Sequence, residues 1–165
     1  MEHSFTLCVL VANHFGVLTR VSSLFSRRGY NIDSLTVGET HDREVSRMTI
    51  VSHGDEATKE QIVKQLNKLI DVKQIMVMDE QNTVSRELML IKVHADKKCR
   101  GEIIEAVNVY RGKIVDLKPK ELTIEITGPQ TKLDALIEYL GQFGIIELSR
   151  TGITAMGRGD LCLQV

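Results

Sequence analysis

The sequence predicts an α+β protein built from two tandem βαββαβ units. Three observations support this. Apolar residues fall either in short runs that suit strands or in stripes at the 3.6-residue helical period. The order strand, helix, strand, strand, helix, strand occurs twice along the 165 residues. A polar stretch, Asp79 to Ser85 (DEQNTVS), separates the two copies. Each unit then takes the ferredoxin-like form, with two helices on one face of a four-stranded antiparallel sheet. The domains are placed at residues 1–79 and 86–165, with a linker at 80–85.

Thr6 to Ala12 is apolar at nearly every position, as a strand buried on both faces requires. Asn13-His14-Phe15-Gly16 breaks the run, and from Val17 the apolar residues Val17, Leu18, Val21, Leu24 and Phe25 lie on one helix face. Arg27 and Arg28 complement the dipole of the last turn, and Gly29 stops the helix. Tyr30 to Gly38 reads as the second strand, and the polar Glu39 to Glu44 as its connection to a third strand, Val45 to Ser52. Ile62, Val63, Leu66, Leu69 and Ile70 stripe a helix predicted from Ala57, which leads into a fourth strand, Val72 to Met78. With helices on one face only, Thr6–Ala12 and Ile75–Met78 still offer apolar side chains to the other. Such a face needs a second sheet or another subunit, so oligomerisation is expected.

The second copy repeats the order. Arg86 to His94 is a strand, Lys97 to Val109 a helix, and Lys113 to Leu117 and Glu121 to Thr127 are strands. Gly128-Pro129 opens a helix carrying Leu133, Leu136, Ile137 and Leu140, and Ile145 to Arg150 closes the unit. The copies differ at the first strand–helix junction. A helix N-terminus offers unpaired N–H groups and partial positive charge, which suit a carboxylate or phosphate. Gly16 leaves that backbone open to a ligand and Asn13 supplies an amide, although both residues equally suit a plain capped turn. The matching loop, Ala95-Asp96-Lys97-Lys98, has neither glycine nor asparagine, so an anion site is expected in the first half alone.

Lysine and arginine total 21 against 22 aspartate and glutamate, so no general affinity for nucleic acid or acidic membranes is expected. No signal-peptide pattern or membrane-length apolar run is visible, and three widely spaced cysteines suit free thiols in a reducing cytoplasm. The five histidines lack metal-ligand spacing, and no P-loop, GxGxxG or GxSxG is present, so neither a metal site nor a catalytic residue is predicted. An RNA-recognition module would need aromatic residues on its central strands, where this chain has Val, Met and Ile. An acylphosphatase would want an arginine in the first loop, whereas Arg20 lies a turn inside the helix.

The run from Asn13 to Val21, then LFSRRGYNIDSLTVG (Leu24 to Gly38) and SRMTIV (Ser46 to Val51), closely resembles an ACT domain. More narrowly, the chain resembles the regulatory small subunits of acetolactate synthase (acetohydroxyacid synthase). RELMLIKV (Arg86 to Val93) and RTGITAMGRG (Arg150 to Gly159) are similar to that family's C-terminal domain. The resemblance implies a cytoplasmic regulator rather than a catalyst. It would activate a large subunit carrying thiamine diphosphate, magnesium and FAD, and confer feedback inhibition by a branched-chain amino acid, usually valine. Residues 1–79 would bind the effector and dimerise. Asn13, Gly16, Val17 and Leu18 would face the effector from one subunit and Asn31 from the other. The family's proline before the loop glycine and acidic residue before the loop asparagine are here Phe15 and Ala12. A free-standing ACT-type amino-acid sensor for another enzyme is the alternative.

Overall fold

Leu7 to Val11 are all buried because the first strand, β1 (His3–Ala12), is covered on both faces. In the computed structural model, which describes residues 3–165, β1 is central in a four-stranded sheet. Its companions are β2 (Ser34–Glu39), β3 (Val45–Gly54) and β4 (Val72–Met78), in the order β2-β3-β1-β4. All pairings are antiparallel: Ala12 lies opposite Val45 and Phe5 opposite Ser52, while β2 forms one edge with Ser34 opposite Val51 and Glu39 opposite Ser46. Helices α1 (Val17–Arg27) and α2 (Glu56–Leu66) connect these strands. Leu7, Val9 and Val11 point toward them and pack with Val21, Phe25, Ile62 and Leu66. Burying each such large side chain contributes about 1.5–3 kcal/mol.

The opposite face of β1 presents Cys8 and Leu10, and its cover comes from the chain's own C-terminus. Ala155 and Leu163 pack with Cys8, Leu10 and Val45, flanked by Met76, Met78 and Ile153. Side chains of the sheet fasten this tail. The Arg47 guanidinium donates to the Ala155 carbonyl at 2.7 Å, Cys8 Sγ donates to the same oxygen at 3.3 Å, and Thr36 Oγ1 donates to the Ile153 carbonyl at 2.8 Å. Near the end, the Gln164 N–H donates to Gln74 Oε1 at 3.0 Å. The tail therefore replaces the second sheet or second subunit expected from sequence as cover for this face. It also moves a boundary: the compact units are residues 3–84 with 153–165, and residues 85–152, rather than a second domain running to residue 165.

The second unit repeats the topology. Strands β5 (Thr83–His94), β6 (Lys113–Leu117), β7 (Glu121–Gly128) and β8 (Ile145–Arg150) follow the order β6-β7-β5-β8. Strand β5 begins inside the stretch read as linker. Met89, Ile91 and Val93 pack against Ile103 and Val107 of α3 (Arg100–Val109) and Leu133, Leu136 and Leu140 of α4 (Gln130–Gly141). At one end of the unit, the buried Glu87 carboxylate receives two bonds from Arg150, Nε at 2.9 Å and Nη2 at 2.6 Å. The second guanidinium edge donates to Asp134 at 2.7 Å, so the buried carboxylate is paired by geometry that suits Arg and not Lys.

Candidate functional site

Between β1 and α1 the chain makes a loop that four backbone and side-chain contacts hold at its base. The Ala12 N–H donates to the Asp71 carbonyl and the Asn13 N–H to the Glu44 carbonyl, both at 2.8 Å. The Asn13 amide nitrogen donates to the Arg43 carbonyl at 2.7 Å and to Glu39 Oε1 at 3.2 Å, tying the loop to the β2–β3 connection. Gly16 then takes φ +88°, the left-handed region, and serves as the N-cap of α1 without any side-chain cap. A side chain at Gly16 would be strained by this φ, yet its Cβ would meet only Arg20 Nη2, at 3.9 Å. The space above the helix start is open.

Beneath the loop lies a carboxylate that the sequence did not single out. Asp71, at the entrance to β4, is buried and accepts from His14 Nε2 at 3.0 Å and from the Arg20 guanidinium. One residue thus holds the loop by its carbonyl, through Ala12, and by its carboxylate, through His14 and the first turn of α1. Nothing local marks Asp71 in the sequence, because its partners lie more than fifty positions earlier.

The five residues expected to face an effector divide into two groups. Asn13, Gly16, Val17 and Leu18 sit together at the loop. Within that group the Val17 side chain is committed to the core, so only its backbone borders the opening, whereas Leu18 is about half exposed. Phe15 projects fully into solvent. Asn31 lies at the opposite end of the same sheet, where its carbonyl accepts from Ser52 Oγ at 2.7 Å and its amide nitrogen donates to Asp33 at 2.6 Å. No donor among the described residues takes its Oδ1. The β1 register separates the two groups by the run from Phe5 to Ala12, about 23 Å at ~3.3 Å per residue, so one chain does not bring them together. His53 adds to the Asn31 end, with Nδ1 2.8 Å from Asp33 Oδ2.

The second unit has the same backbone junction with different chemistry. The Ala95 N–H donates to the Lys120 carbonyl and the His94 N–H to the Gly144 carbonyl, matching Asn13 and Ala12. There, however, Asp96 Oδ1 accepts the N–H groups of Lys98 and Cys99 at 2.8 and 3.1 Å, and these bonds lower its pKa. The second junction supplies its own anion. In the first unit α2 is closed likewise by Asp55, which accepts the Thr58 N–H at 2.8 Å. Helix α1 has no such carboxylate, and α4 begins after Pro129 without a side-chain cap.

Known proteins bear on what this arrangement serves. Residues 7–74 match the model of the small subunit-like ACT domain of acetohydroxyacid synthase, and residues 86–159 match that of the small subunit of acetolactate synthase. An acetolactate synthase small subunit of Mycolicibacterium smegmatis is 55% identical over 154 residues, covering 93% of this chain and 91% of the relative. A probable acetolactate synthase small subunit of Archaeoglobus fulgidus is 51% identical over 160 residues, covering 97% and 99%. The crystal structure of the Thermotoga maritima acetolactate synthase small subunit superposes with a TM-score of 0.89 at 42% identity, covering 96% of this chain and 99% of that one. The chain belongs to the family of acetolactate synthase small subunits.

Proposed function

We propose that this chain is a non-catalytic, cytoplasmic regulatory subunit. It raises the activity of a catalytic subunit, which carries the thiamine diphosphate, magnesium and FAD, and transmits feedback inhibition by a branched-chain amino acid, valine first among them. The observation that carries the reading is the contrast between the two junctions. In the second unit Asp96 closes the turn that leads into α3, while its counterpart at Gly16 is open and lacks a side-chain cap. An amino acid would put its carboxylate at the start of α1. Its ammonium requires an acceptor, and Asn31 Oδ1 is one.

A second copy supplies the geometry that one chain lacks. Strand β2 is a sheet edge. Antiparallel pairing of two β2 strands sets the Ser34 end of one, with Asn31 just before it, beside the Glu39 end of the other, whose carboxylate holds Asn13. The proposed dimer therefore carries two shared pockets. Acetolactate formation by the catalytic subunit should rise on adding this chain and fall on adding valine, leucine or isoleucine in order of affinity. Mixed dimers of Gly16→Asp and Asn31→Ala should regain one intact pocket of two. An unchanged rate on addition of the chain rejects the regulatory reading, and no recovery of effector binding in mixtures shown to exchange subunits rejects the shared pocket.

A further inference from the structure

From Asn13 to Ile32 the sequence has no aspartate or glutamate, and this stretch contains α1 and Arg20, Arg27 and Arg28. Several cations of the unit are paired: Lys59 with Glu56 at 2.7 Å, Lys64 with Glu60 at 3.0 Å, and Arg20 with Asp71. The side chains of Arg27, Arg28 and Lys68 have no ion-pair or hydrogen-bond partner among the described residues. All three line one groove between α1 and the C-terminal end of α2, with a volume of about 610 Å³ and no acidic residue in its wall. Its floor is apolar, because Leu24 and Leu69 pack against the core from above. Along α1 it extends from Thr19 to Arg28, about 13 Å at ~1.5 Å per residue. That length fits about four residues of extended chain.

We infer that this groove receives an acidic, extended segment of the catalytic subunit, which is an interaction surface on the effector-binding unit itself. The inference rests on the regulatory reading above. A compact phosphate fits less well. Arg27 and Arg28 stand where α1 ends, so the backbone there offers no cluster of converging N–H groups to enclose a compact anion. The cations are long and exposed, which suits an extended ladder of carboxylates alternating with apolar side chains. Placed beside α1, whose first turn carries the proposed effector loop, the groove would let an occupied pocket be felt directly by the partner.

The test uses the full chain and the catalytic subunit. Arg27, Arg28 and Lys68 are replaced together by Glu and, in a second variant, by Gln, so that failure of the first to fold leaves the second to decide. Binding to the catalytic subunit is measured at low and high salt, and valine binding to the free chain by calorimetry. The Glu variant should bind the catalytic subunit about ten- to a hundredfold more weakly at low salt, and the Gln variant about tenfold. The Gln variant should lose most of the salt dependence of the wild type, the Glu variant should bind more tightly as salt is added, and both should keep the wild-type valine affinity. Carbodiimide coupling, which joins amines to carboxylates, should link Lys68 to an Asp or Glu of the catalytic subunit. Wild-type affinity and salt dependence in a folded variant overturn the inference and leave the regulatory reading intact. A Lys68 left uncoupled in the assembled complex does the same. A wild-type chain that does not bind the catalytic subunit overturns both.

Discussion

Substitution of Gly16 separates the two things this residue does: it adopts φ +88°, and it leaves the start of α1 open. Placing an alanine in the left-handed region costs roughly 1–2 kcal/mol, while Asn and Asp tolerate it better because their short polar side chains bond locally. Sterics contribute little, since a Cβ here meets only the flexible end of Arg20 at 3.9 Å. Charge is a different matter. In the proposed pocket a carboxylate at position 16 would face the carboxylate of the bound amino acid, at a separation taken as about 4 Å. Repulsion at that separation is about 1 kcal/mol in bulk water and about 4 kcal/mol at the effective dielectric near a protein surface. Gly16→Asn and Gly16→Asp have nearly the same shape and differ in that charge alone. Gly16→Asn should bind valine within a few-fold of the wild type. Gly16→Asp should bind it roughly ten- to a thousandfold more weakly, with the gap narrowing as salt is added. If backbone strain were the cause, Gly16→Ala would be the worst of the three. Calorimetry on the free chain gives the affinities, and inhibition of acetolactate formation gives the functional counterpart. Equal losses in the Asn and Asp variants would refute an anion site at this helix start. Wild-type affinity in both would remove Gly16 from the pocket altogether.

Two further outcomes follow from the fold. A chain ending at Gly152 should uncover Cys8, Leu10 and Val45, which are 0%, 1% and 1% exposed in the full protein. It should bind a hydrophobic dye and self-associate, and a thiol reagent should then reach Cys8, whereas in the intact chain Cys162 should react and Cys8 should not. Protection of Cys8 in the shortened chain would show that something other than the tail covers that face. Asp55 accepts from the Thr58 hydroxyl and N–H at the start of α2, and Asp96 accepts the Cys99 and Lys98 N–H groups in the turn before α3, which holds both carboxylates below their ordinary pKa of 3.8. A depressed folded-state pKa contributes stability above the unfolded value and loses it as pH falls through the folded one. The thermal midpoint should therefore drop below about pH 4, and less steeply for an Asp55→Asn/Asp96→Asn variant; parallel profiles would count against these caps as the source.

The repeated backbone was readable from sequence because periodicity is a local property. Leu7, Val9 and Val11, or Leu133, Leu136 and Leu140, declare their faces within a few residues, and the two βαββαβ orders follow. What escaped were contacts that no period encodes. The tail binds its sheet through Arg47, Thr36 and Gln74, each meeting a backbone or amide group about ninety or more positions away. The apolar residues of the tail that pack on the sheet, Ile153, Ala155 and Leu163, form no stripe. Asp71 was invisible for the same reason. The duplication shows how far such a reading reaches. Ala12 and His94 donate their N–H groups to the equivalent carbonyls of Asp71 and Gly144, so the backbone places the same bond at both junctions. The side chains diverge on that shared frame. The first copy has a carboxylate beneath the loop and an open glycine above it, while the second has no side chain at Gly144 and fills the turn before α3 with Asp96. The repeat explains the fold, and the asymmetry between its copies is what the proposed effector site rests on. A sequence reading finds the asymmetry when the change is a missing Gly16 or Asn13. It misses the half that depends on which distant residue the fold brings underneath.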